Sequence, residues 1–178
     1  IALWDLAGKA LNVPTYRLLG GKARDKVLVY RHARCGNTEE MVESSHQLLA
    51  AGYKVLRISP TDALPDDHFH PRQAVAQAAH FVETLRTAIG DDPEIIVEVH
   101  TRLSPPRAIE PLRPFYVEDP IRSENPTSFA TLRAHTNVAL GTGEQLHDKW
   151  AYRELIEREL VDYLRVDICH AGGITEGK

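Results

Sequence analysis

The sequence predicts an α/β fold, part of a TIM-type (β/α) barrel, on three observations. Short apolar runs alternate with helix-like segments along the whole chain, the pattern of parallel β/α units. Several runs end in an acid: Glu98, Glu118, Glu144 and Asp167, at intervals of 118−98=20, 144−118=26 and 167−144=23 residues. No Gly-rich phosphate fingerprint follows a strand, so successive units in order favour a barrel arc over a doubly wound sheet. A full barrel has eight strands in about 250 residues. This chain has 178 residues and about six of the usual strands, so the barrel is expected to be unclosed.

The elements follow in order. Leu3, Leu6, Ala7, Ala10 and Leu11 recur at helical spacing between Ile1 and Leu19, Pro14 interrupts them, and Gly20-Gly21 ends the stretch. Val27 to Tyr30 reads as the first strand. Thr38 to Ala51 reads as a helix with Thr38 as N-cap and Glu39 and Glu40 in its first turn. Tyr53 to Ile58 is the second strand, and residues 60–71 form a polar loop. Pro71 to Ile89 is a long helix closed by Gly90-Asp91-Asp92-Pro93. Ile95 to Glu98 is the third strand. Four prolines (Pro105, Pro106, Pro111, Pro114) leave room for only a short helix before the fourth, Phe115 to Glu118. A helix from Thr127 to His135, a strand from Val138 to Leu140, a helix from Trp150 to Leu160 and a strand from Tyr163 to Asp167 complete the pattern.

Composition sets limits on partners. The chain is 43% hydrophobic and 26% charged with net charge −4, so nothing favours nucleic acid or an anionic membrane surface. No apolar run approaches the roughly 18 residues of a membrane span, and no signal peptide is apparent. Cys35 and Cys169 lie without ligand spacing and read as reduced thiols of a cytoplasmic protein. The chain opens in mid-helix pattern and Met41 is its only methionine, which reads as a piece of a longer protein.

Acids at successive strand ends converge on one rim, where active sites of such barrels are built. Oxygen ligands meeting at one point suit a hard divalent cation such as Mg²⁺. Taken singly, each acid also reads as a solvated residue or a helix cap. His100, two residues past Glu98, shares its face if the strand continues, and a histidine beside a metal is a general acid or base. The alternative is a surface-loop histidine. Arg57 and Ser59 share a face at the end of strand two. Arg57 there is either an anion clamp for substrate or a rim ion pair to the nearby acids. His170 is either a substrate contact or part of a turn. The run Asp66-Asp67-His68-Phe69-His70 reads as a solvated loop rather than a metal site.

These pieces together resemble the enolase superfamily, in its mandelate racemase and sugar-acid (galactonate or mannonate) dehydratase branch. The resemblance rests on Ala2-Leu-Trp-Asp-Leu-Ala-Gly-Lys9, Leu18-Leu-Gly-Gly21, Glu98-Val-His-Thr-Arg-Leu103, Val117-Glu-Asp-Pro120, Gly143-Glu144 and His170-Ala-Gly-Gly-Ile-Thr-Glu176, in family order across nearly the whole chain. It implies Mg²⁺ held by Glu98, Glu118 and Glu144, His100 as an acid/base residue, and Asp167 as the aspartate that orients a strand-seven histidine. Residues 1–26 would then be a helical lead-in from a missing capping domain and residues 27–178 a partial barrel. The implied reaction is loss of water from a sugar acid: α-proton abstraction beside a carboxylate, an enediolate stabilised by Mg²⁺, and departure of the β-hydroxyl to leave a 2-keto-3-deoxy acid. The full-length protein is expected to be a homo-oligomer.

The sequence departs from the family pattern at several points. The dyad histidine would lie beyond Lys178. Glu98 stands where aspartate is usual, and Arg57-Ile-Ser59 where a Lys-x-Lys or Lys-x-His pair is common. The mannonate-type loop tyrosine has no clear equivalent, since the comparable region reads His68-Phe-His70, and the connection from Glu98 to Glu118 is short. Racemisation or epimerisation of a hydroxy acid on the same metal site is a second reading, against which the absent strand-two lysine counts. A non-catalytic fragment or pseudoenzyme is a third.

Overall fold

Side-chain alternation along six short strands produces two unlike faces, and the fold follows from that difference. The structure, a computed structural model, describes residues 1–60, 71–100 and 112–178. Its elements are α1 (Ala2–Ala10), α2 (Thr15–Leu18), β1 (Tyr30–His32), α3 (Thr38–Ala50), β2 (Val55–Ile58), α4 (Pro71–Ile89), β3 (Glu94–Glu98), β4 (Tyr116–Glu118), α5 (Pro126–Arg133), β5 (Leu140–Thr142), α6 (Lys149–Glu157), β6 (Tyr163–Leu164) and α7 (Ile174–Gly177). The strands form one sheet in the order β1-β2-β3-β4-β5-β6, each parallel to the next. The architecture is a partial (β/α) barrel, with six strands among the described residues.

The outer face packs on helices. Ile58, Ile95, Val97 and Val117 meet Met41 of α3 and Ala74, Ala78, Phe81, Val82 and Leu85 of α4. The α4 residues recur at i, i+4, i+7, i+8 and i+11, one stripe of a 3.6-residue period. Leu140 packs with Phe129 and Leu132 of α5 and Tyr152 and Leu155 of α6. The inner face is layered. Val55, Ile96 and Tyr116 are buried together, with Tyr30 and Phe115 against them. Two residues further along the same strands stand His32, Arg57, Glu98 and Glu118. An apolar layer thus lies beneath a charged one. Tyr163 joins the lower layer, its ring centroid 5.0 Å from that of Tyr116.

Several boundaries differ from expectation, each for a local reason. The N-cap of α3 is Asn37, not Thr38: the Asn37 carboxamide oxygen accepts the Glu40 N–H at 2.7 Å, satisfying a donor of the first turn. β1 begins at Tyr30, because its ladder with β2 starts at the Tyr30–Val55 pair; Val27, Leu28 and Val29 are exposed. β5 lies two residues later than the apolar run indicates. Val138 is buried with the outer-face cluster ahead of the ladder, and the ladder runs through Gly141. A Cβ on Gly141 would come within 2.8 Å of the Tyr116 ring, so glycine there allows a close aromatic approach. β6 stops at Leu164, and Asp167 lies three residues beyond it, just before a turn. The loop run 66–70 falls outside the described residues.

The α5 helix is tied to the sheet by charge. Arg133 makes two 2.6 Å hydrogen bonds to the Asp162 carboxylate, which also accepts the Leu140 N–H at 2.8 Å. Burial alone would raise the Asp162 pKa, but Arg133 and the Leu140 N–H outweigh it and hold the carboxyl below its ordinary value. A depressed carboxylate pKa contributes stability above the unfolded value, about 3.9, and loses it as pH falls through the folded one. Asp162→Asn should therefore lower the denaturation midpoint at pH 7 and flatten its acid dependence below about pH 4. Urea titrations at pH 7 and pH 3 on both proteins test this; an unchanged midpoint at pH 7 would contradict it.

Candidate metal centre

Parallel register places the acids side by side. The Glu98–Glu118 pair closes the β3–β4 ladder, so both carboxylates emerge at the same height on the inner face. Both are fully buried. Glu144 comes from the turn after β5, and that turn depends on Gly143. Gly143 has φ +131°, and a Cβ there would sit 2.8 Å from the Tyr152 ring and 3.0 Å from the Arg165 carbonyl oxygen. The Tyr152 hydroxyl donates to the Gly143 carbonyl at 2.8 Å.

Two guanidiniums alternate with these three acids. Arg57, only 6% exposed, pairs with Glu98 through Nη2 and with Glu118 through Nε at 2.8 Å. Arg165, 31% exposed, pairs through Nε with the other Glu118 oxygen at 2.5 Å and through Nη2 with Glu144 at 2.5 Å. Its Nη1 donates to the Tyr30 hydroxyl at 2.7 Å. Because Tyr30 is on β1 and Arg165 follows β6, this contact spans the two ends of the sheet across the inner face. Of the two readings of Arg57, the geometry is that of an ion pair to the rim acids, here to two of them.

The remaining expected residues take the following places. His100 lies past the end of β3 with φ +46°, so strand alternation does not carry it onto the face of Glu98. A left-handed turn brings it back instead. Its N–H donates to Glu98 Oε1 at 2.7 Å, and its half-exposed ring has Nδ1 3.9 Å from the same oxygen. Ser59 is half-buried one residue past β2. Asp167 is half-buried three residues past β6, and its Oδ1 accepts the Cys169 and His170 N–H groups at 2.7 and 3.2 Å. Those bonds hold its carboxyl below the usual range. His170 is exposed, its Nδ1 3.0 Å from the Glu144 carbonyl oxygen.

Three further residues belong to this layer and were not singled out from sequence. Asp119 is buried and accepts the Thr142 hydroxyl at 2.7 Å. Burial, with the Glu118 and Glu144 carboxylates, lifts its pKa against that hydrogen bond. Arg165 is the second. His32 is the third: its ring stacks on Tyr30 at 5.6 Å, and its Nε2 lies 3.2 Å from Arg57 Nη1. A guanidinium only donates, so that ring nitrogen accepts. Burial first, and Arg57 second, lower the His32 pKa and keep the ring neutral. A period-two reading from Tyr30 and from Tyr163 finds His32 and Arg165 on the same face as those tyrosines.

The donor set fits a hard divalent cation. Among the described residues, Glu98, Glu118 and Asp119 each place an oxygen within 4.8 Å of the others. Glu144, expected as the third ligand, lies beside this group and pairs with Arg165. Glu98 Oε2 and Glu118 Oε1 are buried without a well-directed hydrogen bond, although each lies close to a guanidinium. Four formal negative charges (Glu98, Glu118, Asp119, Glu144) against two positive ones (Arg57, Arg165) leave 2−4=−2, which one divalent ion would neutralise.

Removing Arg57 tests how much this charge layer depends on it. Arg57→Leu would leave two buried carboxylates without their shared partner and should cost about 3–5 kcal/mol in chelator-treated protein. Adding Glu118→Gln should restore part of that loss. Denaturant unfolding of the single and double variants measures both; a single variant as stable as wild type would contradict the assignment.

Comparison with known proteins places this arrangement. Residues 40–178 match the family described as enolase C-terminal domain-like. Among curated relatives, a D-mannonate dehydratase of Caulobacter sp. strain K31 is 34% identical over 203 residues, covering 98% of this chain and 50% of that protein. The D-galactonate dehydratase family member RspA of Halomonas elongata is 32% identical, covering 98% and 51%. A solved enolase from Pantoea ananatis with bound D-gluconate and Mg superposes with TM-score 0.85 at 27% identity, covering 99% and 51%. A solved enolase-superfamily member from Salmonella Typhimurium gives TM-score 0.90 at 27% identity, covering 99% and 52%. The chain spans about half the length of the curated relatives it matches. No helix among the described residues is long and apolar enough to cross a membrane. The chain belongs to the enolase C-terminal domain-like family.

Proposed function

We propose that the protein carrying this chain is a Mg²⁺-dependent dehydratase of a sugar acid, and that these residues form its cation-holding wall. The observation that carries the reading is the convergence of Glu98, Glu118 and Asp119 on one buried point, with Glu144 beside them. The names of the relatives, mannonate and galactonate dehydratases, supply the substrate class.

Glu98, Glu118 and Glu144 would hold the ion, with Asp119 adjacent. When bound, Mg²⁺ supplies a Lewis acid for a substrate carboxylate and so acidifies the proton on the neighbouring carbon. The chain's own residues do the rest. The buried pairing to Arg57 fixes the Glu98 and Glu118 carboxylates in one geometry before substrate arrives. His100, at the solvent edge of Glu98, gives a ring proton to the departing β-hydroxyl, which leaves as water. Asp167, kept ionised by two backbone N–H groups, orients a histidine from the rest of the full-length protein, and that histidine takes the α-proton. His170 and Ser59 contact the substrate from neighbouring loops.

His100→Asn in the full-length protein should lower turnover of its sugar acid by about 10²-fold or more while changing Mg²⁺ affinity less than twofold. Steady-state assays on mannonate and galactonate, with calorimetric Mg²⁺ titration, measure the two separately. Unchanged turnover would contradict the role of His100. Absence of any sugar-acid dehydration by the wild type would contradict the reading as a whole.

A further inference from the structure

We infer that Arg165 is a displaceable internal cation: it occupies Glu118 and Glu144 when no divalent ion is present and must leave Glu118 when one binds. The inference rests on the divalent-cation reading above and concerns how that site is controlled.

Glu118 is the middle acid of the layer. Both of its oxygens already carry a guanidinium contact, Oε2 from Arg57 and Oε1 from Arg165. Glu98 is likewise committed, with Oε1 accepting the His100 N–H and Oε2 facing Arg57. A cation that coordinates the centre of the cluster therefore enters the immediate neighbourhood of one guanidinium or the other. Two positive groups sharing one carboxylate oxygen in a buried site repel strongly, because little solvent screens them. One of the arginines has to move.

The structure distinguishes between them. Arg57 is 6% exposed and is held between Glu98, Glu118 and His32, on a strand with neighbours on both sides. Arg165 is 31% exposed and follows β6, the last strand of the sheet. It also has alternative partners that do not require Glu118: the Tyr30 hydroxyl and Glu144 Oε2, which leaves the other Glu144 oxygen for the ion. Swinging off Glu118 leaves those two contacts available and opens Glu118 Oε1, the buried oxygen with no well-directed hydrogen bond. Arg165 is thus a positioning residue: it keeps Glu118 and Glu144 near their working places and sets a competitive penalty on the ion.

The test is calorimetric titration of Mg²⁺ and Mn²⁺ into the full chain, wild type and Arg165→Met, with the side-chain Nε–Hε resonance of Arg165 followed by NMR in the wild type. The inference predicts at least tenfold tighter ion binding by Arg165→Met. It also predicts faster solvent exchange of the wild-type Arg165 Nε proton on adding Mg²⁺. Ion binding that is unchanged or weaker in the variant, with the Arg165 resonance unmoved, would overturn it while leaving the metal reading intact. Absence of ion binding in both proteins would overturn both. Should the variant fail to fold, the wild-type resonance decides alone.

Discussion

The charge layer Glu98–Arg57–Glu118–Arg165–Glu144 is the interaction on which the rest of this structure depends. Buried carboxylates at the ends of adjacent parallel strands repel one another, and a fold that places them there has to compensate. Two arginines from flanking strands do so by alternation, one acid and one guanidinium in turn. Isolated buried ion pairs are weak evidence for stability, because desolvation offsets their attraction. Here the pairs instead fix position, holding acids in a geometry that open solvent would not maintain.

The position of that layer follows from the sheet. Parallel register puts Glu98 opposite Glu118, and along each strand the charged residue stands two positions past an apolar one: Arg57 past Val55, Glu98 past Ile96, Glu118 past Tyr116. Val55, Ile96 and Tyr116 fill the interior below, and Gly141 admits the Tyr116 ring. Arg165 then links the last strand back to Tyr30 on the first. One side chain therefore takes part in both the curvature of the sheet and the electrostatics of the site.

Much of this was legible in the sequence, and the exceptions have physical causes. α4 was read with its bounds because a long amphipathic period is a strong signal. The three glutamates were found because each ends an apolar run. Strand ends were less legible: Val138 is apolar and buried but precedes the ladder, while Gly141 looks like a strand breaker and is in the ladder. His100 was expected to reach Glu98 through strand alternation, whereas a left-handed turn brings it there. Arg165 and His32 were missed because a charged residue within or just past a strand reads as solvent-facing unless its partners are known. Asp119 was hidden beside Glu118, since alternation places adjacent residues on opposite faces until the strand ends. It does end there, at φ +46° for Asp119.

The most direct test of a cation-binding acid layer is a thermal melt of the protein across a Mg²⁺ series, beside Glu118→Gln. An ion that binds the folded state raises its stability with the logarithm of saturation. The account predicts a midpoint that climbs with Mg²⁺ in the wild type and stays flat in Glu118→Gln. A wild-type midpoint indifferent to Mg²⁺ would contradict it, leaving the acids as a purely internal ion-pair network.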